Sequence, residues 1–191
     1  VKPLGLTGGK GVRVSGDHFK NIEEAIAYAC EVIRSDGSAL IEEKIEGEEF
    51  SLQLFSDGNR ISPMPPVQDH KRAYEGDGGP NTGGMGSYTT GDLLPFMRKS
   101  DLEEALEISQ KVVDAMRKSG TPFKGVLYTQ GMCTKSGLKI IEFNARFGDP
   151  EAMNALCLIQ SDFTSVLQSI SDGNLRAPQF SKNASVVTYL V

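Results

Sequence analysis

In the segment IIEFNARFGDPEA, residues 140–152, Glu142, Asn144 and Arg146 stand at alternate positions. In a β-strand alternate side chains share a face. A carboxylate, a carboxamide and a guanidinium then line one side, and Ile141 and Phe143 line the other. Carboxylate and amide oxygens are hard donors of the kind Mg²⁺ takes, usually together with substrate phosphates. A guanidinium beside them can hold the charge that develops on a transferred phosphoryl group. The same pattern describes a strand with one wet face and a structural Glu–Arg pair, and alternation alone leaves both readings open. Gly148, Asp149 and Pro150 follow at once. Pro150 suits the first turn of a helix with Asp149 as its N-cap. That helix would turn anion-friendly N–H groups toward the same face.

Three other segments carry candidate chemistry. In PPVQDHKRAYEGDGGPNTGGMGSY, residues 65–88, Asp69, His70, Lys71 and Arg72 stand beside a glycine-rich stretch with Asn81, Thr82, Gly83 and Gly84. Lys71 and Arg72 can bind anions, and Asp69 or Asp77 can hold an ammonium or an amine. His70 is one of only two histidines, which argues against a histidine metal site; a structural role suits it equally. In VKPLGLTGGKGVRV, Gly8, Gly9 and Gly11 surround Lys10, between the extended-looking stretches Val1–Pro3 and Val12–Val14. This strand–flap–strand pattern lacks the Lys-Ser/Thr pair of a P-loop. It can still fold N–H groups over phosphates, with charge-assisted contacts from Lys2 and Lys10. An ordinary hairpin with surface lysines fits as well. In IEEKIEGEEF, Glu42 or Glu43 can meet an adenine amino group and the Ile45 N–H a ring nitrogen, while Glu49 can hold ribose hydroxyls. The alternative there is an acidic, solvated turn.

The elements that position these residues follow from periodicity and caps. Asn21 and Glu24 have capping-box spacing, Ile22, Ala25, Ile26, Ala29 and Ile33 form an apolar stripe, and Gly37 follows the end. Residues 39–61 read as strand, connection, strand and an Asp57-Gly58 hairpin turn. Residues 62–92 show little periodicity, and a long irregular segment in a compact domain is usually functional. A second helix is expected from Ser100, with Glu103 completing a capping box, an apolar face of Leu102, Leu106, Val113 and Met116, and Gly120 at its end. Residues 124–144 read as a hairpin turning near Ser136-Gly137, and a last helix spans about Asp162 to Gly173. The mixed order predicts an α+β fold. A small unit over residues 1–61 and a larger one over 62–191 are expected. Strand-like runs at both ends suggest a piece of a longer enzyme.

Bulk properties bound the function. The 191 residues are 39% hydrophobic and 24% charged, which suits a globular chain. A net charge of −5 argues against a broad nucleic-acid surface but not against a local basic pocket. Cys30, Cys133 and Cys157 are odd in number and far apart, which suits buried free thiols in a reducing compartment. No apolar run is long enough to span a membrane and no signal peptide is visible, so a cytoplasmic location is expected.

In this order the segments GLTGGKGV, IEEKIEGEEFS, PMPPVQDHKRAYEGDGGPNTGGMGSY, KGVLY and IIEFNARFGDPEA resemble the ATP-grasp superfamily, and within it the phosphoribosylamine–glycine ligases. The first two are shared by many ATP-grasp enzymes, whereas QDHKR…GPNTGGMG and RFGDPE are specific to the ligases. The resemblance implies an ATP-grasp fold, in which two α+β subdomains clasp ATP. It implies ligation of glycine to 5-phosphoribosylamine through glycyl phosphate, using ATP with Mg²⁺ or Mn²⁺. Carried over by position, Lys2, Gly8, Gly9, Lys10, Gly11, Glu42, Glu43, Ile45 and Glu49 would contact ATP. Glu142 and Asn144 would ligate the metal, and Arg146 would be catalytic. Asp69, His70, Lys71, Arg72, Asn81, Thr82, Gly83, Gly84, Asp149, Pro150 and Glu151 would line the glycine and phosphoribosylamine side. Gln130 stands where many ATP-grasp enzymes place a second metal carboxylate, which leaves a second metal site open. The N-terminal and C-terminal domains of the full ligases have no counterpart in this sequence. Two competing readings are another ATP-grasp carboxylate–amine ligase and a nucleotide-binding fragment without turnover.

Overall fold

A computed structural model describes residues 1–5, 11–76 and 78–190, with the main chain only for Asn81. Two compact units divide between Glu46 and Gly47. The first holds β1 (Lys2–Pro3), α1 (Ile22–Asp36) and β2 (Ala39–Leu40). Lys2 lies opposite Leu40 and Pro3 opposite Ala39 in an antiparallel pair. Asn21 Oδ1 accepts the Glu24 N–H (2.9 Å), Glu24 Oε2 accepts the Lys20 N–H (2.8 Å), and Gly37 closes the helix at φ 80°. Val12–Val14 is not a strand, although Val1 and Arg13 exchange two main-chain bonds of 2.9 Å. The expected flap residues Gly8, Gly9 and Lys10 lie outside the described residues.

The predicted apolar stripe of α1 is not its buried face. Ile22, Ile26 and Ile33 are 66%, 56% and 48% exposed, whereas Ala29, Val32 and Phe19 are buried. Tyr28 fixes this side of the helix. Its hydroxyl donates to Gly11 O (2.8 Å), its ring meets Phe19, and the Arg13 guanidinium lies 4.0 Å from its ring centre. The thiols of Cys30 and Cys157 are exposed and only Cys133 is half-buried, contrary to the expected burial.

The second unit carries β3 (Gly47–Asp57), β4 (Ile61–Pro63), β5 (Gln68–Tyr74), β6 (Gly78–Thr89), α2 (Lys99–Lys118), β7 (Lys124–Thr134), β8 (Gly137–Asn144), α3 (Glu151–Leu156), α4 (Phe163–Ser171) and β9 (Ser185–Thr188). One sheet has the order β4-β3-β7-β8 and the other β5-β6-β9, all antiparallel. This is the predicted α+β class. The expected boundary after Ile61 cuts through the first sheet, because β3 pairs with β7 along its whole length. The expected irregular segment 62–92 is largely strand. Its alternation is hidden by glycines and by register shifts on either side of Arg72. Ser51 and Val67 exchange two main-chain bonds (2.8 and 2.9 Å) where the chain passes between the sheets.

Helix α2 begins one residue earlier than expected. Arg98 is its N-cap and Asp101 accepts the Arg98 N–H (2.9 Å), so Ser100 lies inside the first turn. The helix packs Ala105 and Val113 with Phe50, Leu52, Leu54, Leu127 and Leu138 on one face of the first sheet. On the opposite face Phe55 joins Met64, Ala155, Val166, Ile170 and Leu175. Buried Asn154 donates to Ser185 O (2.9 Å) and Ser87 O (3.3 Å), and its Oδ1 accepts from the Ser87 hydroxyl, which ties α3 to β6 and β9.

Asp57 locks the β3–β4 turn. Its Oδ1 accepts the N–H groups of Asn59 (2.9 Å) and Arg60 (2.8 Å), and Oδ2 that of Leu175 (2.8 Å). Burial alone would raise its pKa, but these three donors hold the carboxyl below its ordinary value. Asp57→Ala leaves donors unpaired in a buried place and is expected to cost about 3 kcal/mol. The urea midpoint checks this, and an unchanged midpoint would refute the role given to Asp57.

Candidate functional site

The register of three strands assembles one polar sheet face. Ser51 lies opposite Gln130, which lies opposite Glu142; Gln53 lies opposite Tyr128, which lies opposite Asn144. Directly opposed side chains point to the same side of a sheet. Glu49, Ser51, Gln53, Tyr128, Gln130, Glu142 and Asn144 therefore share the face away from α2. A register shift between Gln130 and Gly131 adds one residue to β8, so Ile140 and Leu138 still reach the α2 core.

Local bonds orient this face. Asn144 Nδ2 donates to Glu142 Oε1 (2.9 Å), which leaves Asn144 Oδ1 as its outward donor to a cation. Glu49 Oε2 accepts from Gln130 Nε2 (2.8 Å) and from Lys71 Nζ (3.2 Å), so the predicted ribose ligand is bound to two neighbours. Lys71 Nζ also lies 3.5 Å from Asp69 Oδ2. Burial pulls the Lys71 pKa down, but the carboxylates of Asp69 and Glu49 outweigh it and hold the group above its ordinary value. Glutamate, asparagine and glutamine oxygens along one row match the donor preference of Mg²⁺.

Arg146 does not extend the alternation. Strand β8 stops at Asn144, and Arg146 stands exposed in the following bend, with Nη1 donating to Phe147 O (2.9 Å). Asp149 is not a helix cap either. Pro150 occupies that position without a side-chain bond, and the Asp149 carboxylate accepts the Tyr189 hydroxyl. At six residues, α3 is too short for the expected anion-binding terminus.

The glycine-rich hairpin divides the QDHKR segment. Lys71 contacts both Asp69 and Glu49. His70 stacks on Tyr88, and Arg72 Nη1 donates to Gly79 O (2.9 Å). Thr82 Oγ1 donates to Lys71 O (2.9 Å) and accepts the Gly84 N–H (3.1 Å). A Cβ on Gly84 would stand 2.7 Å from Pro150 Cδ, while Gly83 has open space beside it. The side chain of Asn81, and Asp77, lie outside the described residues. In the first unit Lys2 Nζ pairs with Glu42 Oε2 (2.8 Å), Glu43 is exposed, Ile45 is half-buried, and Lys44 Nζ donates to Ser15 O (2.8 Å).

Sequence reasoning passed over Gln53 and Tyr128. Glu151 is 3% exposed and its Oε1 accepts the Tyr128 hydroxyl (2.7 Å). Burial raises the pKa of both groups, and the Asp69 charge raises them further. Gly148 donates its N–H to Gln53 Oε1 (2.8 Å). A Cβ there would stand 2.6 Å from Glu151 Oε2 and 2.8 Å from Tyr128 Cε2, so glycine is required. Only strand pairing could have joined Gln53 to Tyr128, which are 75 positions apart by number.

Residues 1–152 match a family model described as the phosphoribosylglycinamide synthetase ATP-grasp (A) domain. The chain is 56% identical over 191 residues to phosphoribosylamine–glycine ligases of Thermococcus kodakarensis and Pyrococcus furiosus, covering 100% of this chain and 44% of each relative. It thus spans less than half the length of these curated relatives. The crystal structure of the Thermotoga maritima phosphoribosylamine–glycine ligase superposes with a TM-score of 0.83 at 29% identity, covering 98% of this chain and 47% of that one. The biotin carboxylase domain of Hydrogenobacter thermophilus 2-oxoglutarate carboxylase, solved with MgADP, gives 0.64 at 17% identity, covering 97% and 39%. That second likeness is one of fold alone.

The raised Glu151 pKa has a direction that can be tested. The folded state favours its protonated form, so the stability it contributes is full below the ordinary value of 4.5 and is lost as pH rises through the folded value. Glu151→Gln cannot ionise and keeps an acceptor for Tyr128. Its Tm is expected to gain on the native protein as pH rises from acid to neutral. A Tm difference that does not change with pH would refute this.

Proposed function

The chain belongs to the phosphoribosylglycinamide synthetase ATP-grasp (A) domain family, and from that premise we propose that it is the ATP-grasp part of a phosphoribosylamine–glycine ligase. In this reading a glycine carboxylate oxygen attacks the γ-phosphorus of ATP and the bond to the ADP oxygen breaks. The amine of 5-phosphoribosylamine then attacks the carbonyl carbon of glycyl phosphate. Phosphate leaves, the amine proton is lost, and glycinamide ribonucleotide forms.

The reaction must bring two anions, a carboxylate and a triphosphate, into contact. The observation that supports it best is the Gln130–Glu142–Asn144 row, with the half-buried Lys71 ammonium bonded to Glu49 on the same sheet face. Glu142 and Asn144, with Gln130 Oε1 beside them, would hold Mg²⁺ or Mn²⁺, which when bound offsets phosphate charge. Lys71 supplies a fixed positive charge whose position is set by Glu49 and Asp69. Arg146 is proposed to hold charge on the acyl phosphate, with its exposed guanidinium turning from Phe147 O toward the substrate. Lys2, Gly8, Gly9, Lys10, Gly11, Glu42, Glu43, Ile45 and Glu49 are the proposed ATP contacts. For Lys2 and Glu42, contact with ATP requires their mutual ion pair to open or to be shared. His70, Arg72, Asn81, Thr82, Gly83, Gly84, Asp149 and Pro150 are proposed for the substrate side.

The test uses a polypeptide that carries this chain within the full length of its relatives. ADP release should require both glycine and phosphoribosylamine. Release that ignores glycine, or that is faster with another amino acid, would overturn the reading. In the same polypeptide Arg146→Ala is expected to lower kcat by about 100-fold while ATP binding is retained. A native kcat in that variant would remove Arg146 from the mechanism.

A further inference from the structure

The first unit carries a cleft of about 500 Å³ along α1. Among the described residues, none of those proposed above for ATP, metal or substrate lines it. Three of its lining residues, Arg13, His18 and Arg34, are exposed and bring hydrogen-bond donors to it. Neither arginine has a carboxylate partner or a side-chain hydrogen bond among the described residues. Elsewhere Arg60, Arg98 and Arg117 each pair with an aspartate three positions away. In a chain of net charge −5, two guanidinium groups left open in one cleft are an exception that favours an anionic ligand.

Two of these donors are held in place by the fold. The Arg13 guanidinium lies 4.0 Å from the centre of the Tyr28 ring. That ring meets buried Phe19 at 5.8 Å between centres, and its hydroxyl donates to Gly11 O (2.8 Å), so it is fixed at both ends. Stacking covers one face of the guanidinium and leaves the N–H groups along its edge for an oxyanion. His18 Nδ1 accepts the Val14 N–H (3.2 Å), which places the proton of the neutral ring on Nε2. That Nε2–H has no partner among the described residues. Arg34 adds its charge from the last turn of α1. Two carboxylates also line the cleft, and they differ. Glu24 Oε2 already accepts the Lys20 N–H (2.8 Å), whereas Glu31 has no bonded partner among the described residues. Glu31 is therefore an acceptor for hydroxyl groups, and both carboxylates act against a ligand with a long run of negative charge.

We propose that this cleft binds a small hydroxylated phosphate monoester. Arg13, Arg34 and His18 Nε2 donate to the phosphate oxygens, and Glu31 accepts from the hydroxyl groups of the esterified part. A guanidinium fork matches two phosphate oxygens at once, which a carboxylate-poor surface lysine does not. The cleft volume lies in the range of small-molecule sites and exceeds what a lone phosphate ion fills. Tyr28 is a positioning residue here, because its ring sets the plane of the Arg13 guanidinium.

His18 supplies a local probe, read by NMR of the histidine ring protons in the full-length polypeptide. The signal lost in His18→Gln identifies it. Glycerol 3-phosphate, added with chloride adjusted to keep ionic strength constant, is expected to move that signal saturably. Inorganic phosphate is expected to require a higher concentration, because it brings no hydroxyl groups on carbon for Glu31. Arg13→Gln and Arg34→Gln are each expected to raise the midpoint concentration by about tenfold. Arg34→Gln leaves the Tyr28 stack untouched, so a loss of binding there is not a loss of fold. A His18 signal that does not move, or midpoints within about twofold of native in both arginine variants, overturns the site. Equal midpoints for glycerol 3-phosphate and inorganic phosphate overturn the assignment to an ester.

Discussion

The pairing of β3 with β7 is the constraint on which the second unit depends. Eleven consecutive residue pairs hold Gly47–Asp57 against Lys124–Thr134. Every second side chain then faces α2, and those between face the other way. Phe50, Leu52 and Leu54 enter the α2 core, while Glu49, Ser51 and Gln53 stand on the polar face. A slip of one residue would send the aliphatic set to the polar face and the polar set into the core. The core and the candidate site are thus specified by the same ladder. The hydrophobic free energy that fixes the register also fixes which oxygens line up across the sheet.

Charge is arranged on that face by sharing. Glu49 Oε2 serves Lys71 and Gln130 together, and Lys71 serves Glu49 and Asp69. Glu49 and Lys71 are each held by two partners, so both have little freedom to turn. Such fixed groups need little reorganisation when charge develops nearby. The second tie runs from Gln53 through Gly148 to Glu151 and Tyr128, and it keeps the segment after β8 close to the central strands.

Part of this was legible in the amino-acid order. Alternation placed Glu142 and Asn144 on one face, and their side chains do bond each other. It failed for Arg146, because alternation ends where the strand ends and nothing in NARFG marks that point. The QDHKR segment read as one cluster, yet strand geometry turns Lys71 toward Glu49 and His70 toward Tyr88. Glycines in β6 supplied no side chains to alternate, so a strand read as a loop. The isoleucines of α1 formed a regular stripe, but Tyr28 and Phe19 chose the opposite side. Gln53, Tyr128 and Glu151 come together only through long-range pairing, and one-dimensional patterns carry no information about which distant strands meet.

Asn154 and Ser185 lie beyond the residues that match the family model, which ends at position 152. Their bonds hold β9 along the outer side of β6, from Gly86 to Thr89. Without that seam a glycine-bearing strand would present a row of open N–H and C=O groups to solvent, a template for pairing with another chain. Strand β9 therefore acts as a selvedge. It covers the outer side of β6 in the β5–β6 hairpin, so that a neighbour meets β9 there and not the glycine-bearing strand.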